Sequence, residues 1–298
     1  MFRTVRLTCE TNSKLALYIG GLWTAVESRD PTLGHVIPSR SGGGVAAVTS
    51  LGDDVFVLHI NGLQQVEVYD AVSCTLSRLI TVHGLGDYTW GLAACAGCKC
   101  LYVSDYNNRC IHRTELTGSN AVMRWTMALR PRGLSVNRAY NIVVACDSAN
   151  KLQEYTTDGH LVRGICLQAD VTWPWHAVQL SSGDYVVSQY RSPGVVSVVA
   201  ANGQVRRNYE PPQTSDVAPM KYLANLAVTM NDDVLVADQG NGRILSVSSQ
   251  SSVQELALPV DGGIQQPIGL CLDESRGRLY VGELVEGVRL LVFNVVKL

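Results

Sequence analysis

A short segment in the first half of the chain carries the densest set of potential metal ligands. Cys95, Cys98 and Cys100 form a C-x2-C-x-C run, and His112 follows on the next predicted strand. A hairpin turn with C-x2-C can hold two zinc ligands, and antiparallel pairing about Asn107 would bring His112 back towards Cys100. Structural zinc, however, usually stabilises domains too small for a core, and only one C-x2-C is present. We therefore interpret these residues as packed thiols and expect no metal or cofactor.

The segment with these cysteines belongs to a repeat that occurs six times. Each copy has a small residue opening an apolar strand, a second strand ending in a polar residue, a tight turn, and a third strand. The period is about 45 residues, which is typical of one four-stranded propeller blade. The openings lie at Gly44, Gly91, Gly133, Ala177, Asn225 and Gly269.

The repeat predicts an all-β fold, a six-bladed β-propeller of four-stranded antiparallel blades. Residues 1 to 298 form a single domain, with blades starting near residues 43, 90, 132, 176, 224 and 268. The sixth copy lacks its outer strand. We expect residues 1 to 42 to supply it, through Arg3 to Cys9 or else Lys14 to Ile19. That pairing closes the ring and leaves no long open sheet edge.

The aligned copies resemble NHL-repeat propellers, such as those of tripartite-motif proteins. The resemblance is carried by the Gly-Leu openings at Gly91, Gly133 and Gly269 and by an Asp, Asn and Arg or Lys signature. The signature residues are Asp105, Asn108, Arg109, Asp147, Asn150, Lys151, Asp238, Asn241 and Arg243. His59 and Gln189 replace the Asp in copies one and four. The resemblance implies substrate recognition in ubiquitin-ligase assemblies, here with any RING domain on a separate partner.

Four carboxylates end the second strands of different copies: Asp105, Asp147, Asp238 and Glu283. A ring of carboxylates could suggest a metal cluster. Each would lie in a different blade, however, one strand away from the channel. The three Asp are also close to an Asn that can share hydrogen bonds within the turn. We interpret all four as structural residues of the blade turns.

Aromatic and basic residues gather in the segments before the inner strands and in the turns after the second strands. In a propeller these segments share one face, which we call the top face. Aromatic rings and guanidinium groups are typical of recognition surfaces. The residues are Tyr88, Trp90, Tyr106, Arg130, Arg132, Trp173, Trp175, His176, Tyr190, Arg191, Lys221 and Tyr222. The alternative is that the tryptophans only fill gaps between blades.

Charge separates the possible ligands. Nucleic acid binders are usually strongly basic, whereas this chain has 24 Lys and Arg against 26 Asp and Glu. We therefore expect a protein or peptide partner, and RNA is the alternative because some NHL propellers bind it. If the top face does not bind, the opposite face around Asp53, Asp54, Lys99 and Arg278 is the next candidate.

An enzyme is the second alternative, because metal-dependent lactonases and peptide-amidating lyases resemble this architecture and hold a divalent ion at the channel mouth. Among the residues just before the six openings, His176 is the single imidazole. A lone His at a strand start is more often a packed residue than a ligand. The chain also contains no Gly-x-Ser-x-Gly elbow and no P-loop. We therefore favour a non-enzymatic recognition module.

Composition is consistent with one compact domain, since 46% of the residues are hydrophobic and 17% are charged. The first residues do not match a secretory signal, and nine Cys are scattered through the strands. These features favour a reducing, cytoplasmic setting. No apolar run approaches the length of a membrane helix, and we expect a monomer that does not bind membranes.

Overall fold

The computed structural model describes residues 31–38, 43–60, 63–117, 122–211, 217–248, 252–285 and 289–295, together with the backbone of residues 15–19 and 22–26. The fold is the all-β, six-bladed propeller that the repeat predicts, and each blade is a four-stranded antiparallel sheet. The inner strands contact one another in order around a closed ring. None of the described segments forms a helix that is long and apolar enough to cross a membrane.

Three strands precede the blades: β1 (Leu15–Ile19), β2 (Leu22–Val26) and β3 (Thr32–Pro38). Blades 1 to 5 then take four consecutive strands each, in order from the channel outwards. Blade 1 comprises β4 (Gly44–Leu51), β5 (Asp54–Ile60), β6 (Gln65–Asp70) and β7 (Leu76–Thr81). Blade 2 comprises β8 (Leu92–Cys95), β9 (Cys100–Asp105), β10 (Cys110–Glu115) and β11 (Val122–Thr126). Blade 3 comprises β12 (Leu134–Val136), β13 (Ile142–Cys146), β14 (Lys151–Tyr155) and β15 (Leu161–Cys166).

Blade 4 comprises β16 (Pro174–Gln179), β17 (Tyr185–Gln189), β18 (Val196–Val199) and β19 (Val205–Tyr209). Blade 5 comprises β20 (Leu223–Val228), β21 (Val234–Asp238), β22 (Arg243–Val247) and β23 (Val253–Glu255). Blade 6 comprises β24 (Pro267–Asp273), β25 (Arg278–Glu283) and β26 (Arg289–Asn294), and its fourth strand is β3. Short 3-10 helices lie at Asp147–Ala149 and Gln239–Asn241, in the turns of blades 3 and 5.

The N-terminal part of the chain closes the ring as expected, but through a different segment. In blade 6, β3 pairs antiparallel with β26, with Ile37 opposite Leu290. The expected alternative Lys14 to Ile19 is wrong, because β1 pairs with β2 instead. The sequence between these strands is Gly-Gly, a hairpin signal that explains the pairing. Arg3 to Cys9 lies outside the described residues.

Apolar strands of neighbouring blades pack face to face and form the core. Between blades 1 and 2, for example, Phe56 and Leu58 pack with Leu101 and Val103. All four are essentially inaccessible to solvent, and strands buried on both faces have continuous apolar runs in the sequence. Replacing a core residue such as Leu101 with Ala costs about 2–5 kcal/mol of stability. This packing positions the strand ends that carry the top face.

Candidate functional site

Two sets of loops form the top face: the connections into each inner strand and the turns after each second strand. Backbone hydrogen bonds join the two sets. The Tyr106 N–H donates to the Tyr88 carbonyl at 3.0 Å, and the Tyr190 N–H donates to the Trp173 carbonyl at 2.9 Å. These bonds bring aromatic residues from distant positions in the sequence to the same end of the channel.

Pairing is irregular near the start of four inner strands, β4, β16, β20 and β24. The register of β16 against β17 shifts around Trp175, and that of β20 against β21 shifts around Asn225. The Trp175 Nε1–H donates to Asn225 Oδ1 at 3.1 Å. Because bulges of this kind re-aim side chains, they place a buried indole at the channel mouth and satisfy its polar atom.

Four rings form a continuous series across blades 2, 4 and 5, which we call the aromatic row: Trp90, Trp175, Tyr190 and Tyr222. Trp90 meets Trp175 edge to face at 5.2 Å between ring centroids. Trp175 stacks on Tyr190 at 4.5 Å, and Tyr190 lies 5.4 Å from Tyr222. The row ends in solvent, where Tyr222 is 44% exposed. It gives the top face a rigid apolar surface.

Arg132 lies among these rings. Its guanidinium carbon is 4.7 Å from the Trp175 ring centroid and 4.5 Å from that of Tyr106, distances typical of cation–π contacts. Its Nε–H donates to Asp147 Oδ2 at 2.7 Å. Within the described part of the chain, the two terminal NH2 groups of Arg132 have no hydrogen-bond partner. They can therefore bind a carboxylate or phosphate at the channel mouth.

A pocket of about 270 Å³ lies beside the aromatic row, lined by Tyr190, Tyr222, Gln239, Gly240 and Gln266. Gln239 is 7% exposed, and its Oε1 has no hydrogen-bond partner among the described residues. A Cβ at Gly240 would lie 2.6 Å from the Lys221 Cβ, so only glycine allows this approach. Neither Gln239 nor Gln266 belongs to a pattern that predicts a site; the position of Gln239 directly after the Asp238 signature is the available signal.

Other top-face residues project into solvent. Tyr88 is 53% exposed and Trp173 is 58% exposed. Lys221 is exposed too, whereas Arg191 is half-buried. The guanidinium carbon of Arg130 lies 5.1 Å from the Tyr106 ring centroid. The structure thus places a group of exposed rings and cations around the aromatic row.

His176 differs from the expectation of an accessible top-face residue. Its ring is buried, with Nε2 2.8 Å from the Leu134 carbonyl and Nδ1 accepting the Leu226 N–H at 3.1 Å. Burial lowers the pKa of His176 to about 4. The ring is therefore neutral and links the inner strands of blades 3, 4 and 5. Because both nitrogens are engaged, neither can bind a metal or ligand without breaking these bonds.

Residues at the ends of second strands hold the top-face loops through the same type of bond. In four blades the side chain accepts a backbone N–H from the loop before its own inner strand, at 2.7–2.9 Å. The pairs are Asp105 with Gly86, Gln189 with Thr172, Asp238 with Lys221, and Glu283 with Gln265. The Asn108 and Asn241 side chains donate to Asp105 and Asp238, each at 2.8 Å. Asn150 instead accepts the Trp173 N–H at 3.2 Å.

The basic residues of the signature are not equivalent, contrary to the sequence alignment. Arg243 is buried and donates through Nε to Asp238 at 2.8 Å. Arg109 is exposed and has a positive φ of 50°. It therefore corresponds to Gly242, the residue with positive φ before Arg243. The turns of blades 2 and 5 have the same length, and Cys110 takes the position of Arg243.

A buried trio in blade 2 replaces the missing arginine. The His112 Nε2 lies 3.4 Å from Asp105 Oδ2 and 3.4 Å from Cys110 Sγ. These atoms are close enough together to hold a metal ion. Burial opposes ionisation of Asp105, but the His112 hydrogen bond and those from Asn108 outweigh it, and the pKa falls to about 2. Burial raises the pKa of Cys110 to about 11. The group thus combines a carboxylate, an imidazole and a protonated thiol in the interior of blade 2.

The zinc site considered in the sequence analysis is not assembled. Cys95 pairs with Cys100 at one end of the β8–β9 ladder, whereas His112 pairs with Val103 and turns towards Asp105 at the other end.

Further along the channel, inner strands enclose a cavity of about 320 Å³. Its lining, all within the described residues, includes no carboxylate, and its one imidazole is His176.

No family model matches the chain, and no curated protein matches it by sequence. Solved structures are similar in fold. A virginiamycin B lyase from Staphylococcus aureus has a TM-score of 0.65 and 11% identity over 90% of this chain and 100% of its own. A streptogramin B lyase has a TM-score of 0.62 and 11% identity, covering 87% and 97%. Hydrazine synthase from Kuenenia stuttgartiensis has a TM-score of 0.61 and 16% identity, covering 82% and 75%. At these identities the likeness establishes the propeller fold alone.

Proposed function

We propose that the chain is a recognition module that binds a protein or peptide through the aromatic row and Arg132. The observation that carries the proposal is the arrangement itself: four rings in contact, ending in the exposed Tyr222, beside a guanidinium group with free terminal donors. Rigid aromatic anchors around an arginine are the usual composition of a protein-binding hot spot. A substrate-recognition role in a ubiquitin-ligase assembly, in the cytoplasm, is the specific setting that we propose.

The geometry also supports a preference for an acidic ligand. Arg132 is held in place by Asp147 and by the rings, so little conformational freedom is lost when its terminal NH2 groups bind a carboxylate. Arg130 and Lys221 add positive charge at the edge of the same surface. A peptide with an acidic residue next to an apolar one matches this combination.

The test is capture of partners from native lysate on immobilised protein. Arg132→Ala with Tyr222→Ala should abolish capture, because it removes the cation and the exposed end of the row. Arg138→Ala with Tyr140→Ala is the matched control, since both residues are exposed at the other end of blade 3. Equal capture by the two double variants would place the working surface elsewhere. Thermal unfolding of each variant checks that the fold survives.

RNA binding remains the first alternative because bases stack on aromatic rings as readily as side chains do. The two ligand classes differ in their response to salt and nuclease. Capture of a protein should persist after nuclease treatment and weaken little between low and moderate salt. Binding to RNA should fall steeply with salt, because each neutralised phosphate contributes to the slope.

Lyase activity is the second candidate, favoured by the names of the similar structures. A streptogramin B antibiotic is the direct probe. Turnover that a chelator removes would support this candidate over recognition. The engaged nitrogens of His176 and the carboxylate-free lining of the channel cavity argue against a metal ion held there by the described residues.

A further inference from the structure

Three thiols cluster at the end of blade 2 opposite the top face. Cys95 ends β8 and Cys100 begins β9, and the two residues pair directly across the hairpin. Cys98 lies in the turn between them. Cys95 and Cys100 are fully buried, whereas Cys98 is half-buried. Of the three residues, Cys98 is therefore the most accessible to a solute.

Polar groups converge on the Cys98 sulfur. The Tyr102 hydroxyl oxygen lies 3.3 Å away and also donates to the Thr157 carbonyl at 3.2 Å, and hydrogen bonding with Tyr102, Cys95 and Cys100 favours the ionised form of Cys98. Burial opposes ionisation of Cys98, but these hydrogen bonds and the charge of Arg113 outweigh it, so its pKa lies below the usual value. Burial raises the pKa of Cys95 and Cys100. A partly accessible thiol that ionises before its neighbours is the typical site of thiol oxidation.

The two neighbours are not equivalent as partners for Cys98. Burial raises the pKa of Cys95, and the backbone N–H groups of Gly97 and Cys98 partly oppose this rise. Cys100 donates its thiol to the Cys98 carbonyl at 3.2 Å. Cys95, at C-x2-C spacing, is therefore the partner that we favour for Cys98, because the Cys100 thiol is directed to the carbonyl.

We propose that Cys98 is an oxidation site for hydroperoxides and that Cys95 resolves it to a disulfide. The Cys98 thiolate attacks hydrogen peroxide, and an S–O bond forms as the O–O bond breaks, which releases hydroxide. The Cys95 thiol then attacks the Cys98 sulfur, and an S–S bond forms as the S–O bond breaks. Water leaves with the Cys95 proton, and two electrons have passed from the thiols to the peroxide.

The experiment treats the reduced full-length protein with hydrogen peroxide, alkylates the remaining thiols and maps the bonds by mass spectrometry. The expected product has a Cys95–Cys98 disulfide and alkylated Cys100. It should form at least about tenfold faster than oxidation of Cys166, an exposed thiol of blade 3. A bridge to Cys100, or faster oxidation at Cys166, would overturn the proposal.

Variants separate the two steps. Cys95→Ser removes the resolving thiol, so sulfenic acid should accumulate at Cys98 and be trapped there by dimedone. Cys166→Ser is the matched control and should leave the rate of disulfide formation unchanged. Absence of a dimedone adduct at Cys98 would contradict the first step. The map of the unsubstituted protein decides the outcome if Cys95→Ser does not fold.

Discussion

The turns of blades 2 and 3 carry the same Asp signature but use the aspartate differently. In blade 2, Asp105 is fully buried and is bound by the Gly86 N–H, by Asn108 and by His112. In blade 3, Asp147 binds Arg132, and its Oδ1 has no hydrogen-bond partner among the described residues. One aspartate thus holds its own blade together, whereas the other positions a cation of the top face.

The place of the aspartate relative to the turn accounts for much of this difference, because four residues separate the paired strand residues in both blades. In blade 3 the residue with positive φ is Asn150, three positions after Asp147, whereas in blade 2 it is Arg109, four positions after Asp105. Asp105 ends β9, whereas Asp147 does not end β13 as expected but follows it by one residue, in the turn itself, and lacks the bond to a neighbouring Asn that Asp105 makes. The Asp147 carboxylate instead meets Arg132 from the loop before β12. The same sequence signature can therefore place an aspartate in two different sets of contacts.

The largest expected effect is on Asp105. Asp105→Ala should reduce the free energy of unfolding by about 3–5 kcal/mol, because it leaves His112 buried without its carboxylate. Asp147→Ala should cost less than half as much, since Arg132 keeps its contacts with the rings. Denaturant unfolding of both variants measures the difference. Equal losses would remove the distinction between the two turns.

Acid should destabilise the fold through a buried histidine and not through the residues at the channel mouth. The pKa of His176 is lowered to about 4 by burial, against about 6.5 in the unfolded chain. The unfolded state therefore binds the proton first, and stability present above pH 6.5 is lost as the pH falls towards 4. The loss is about 3 kcal/mol.

Denaturant unfolding at pH 7 and pH 4.5 measures this effect. Arg132→Ala should show the same decrease as the unsubstituted protein, because Arg132 is not the titrating group. His176→Gln should lose most of the decrease. An unchanged decrease in His176→Gln would assign the acid sensitivity to another residue.

The fold was predictable because the repeat period requires no knowledge of contacts. The location of the aromatic residues on one face followed from the same period. The burial of Trp175 and His176 did not, because register shifts in β16 decide which side chains turn inwards. The closing strand was mistaken because β3 has no pattern that distinguishes it from earlier apolar segments, and only pairing with β26 selects it. The Gln239 pocket depends on contacts between blades, which no local pattern contains.

A double-mutant cycle should sharpen the comparison at the channel mouth. Asp147→Ala and Arg132→Ala should show a coupling energy of about 1–2 kcal/mol, because their side chains hydrogen-bond at 2.7 Å. Asp105→Ala combined with Arg132→Ala should show additive losses within about 0.5 kcal/mol. Coupling of equal size in both cycles would mean that the contribution of Arg132 to stability does not depend specifically on the Asp147 carboxylate.

The smallest effect concerns the arginine of the blade 2 turn. Arg109 has a φ of 50° and is exposed, and it donates no side-chain hydrogen bond within the described residues. Arg109→Gly should raise the free energy of unfolding by about 0.5–1 kcal/mol, because glycine adopts this conformation without steric cost. Arg243→Ala is the contrasting variant and should destabilise, since it leaves Asp238 buried without its cation. A stability loss in Arg109→Gly similar to that in Arg243→Ala would show that both arginines support their turns, as the sequence alignment assumed.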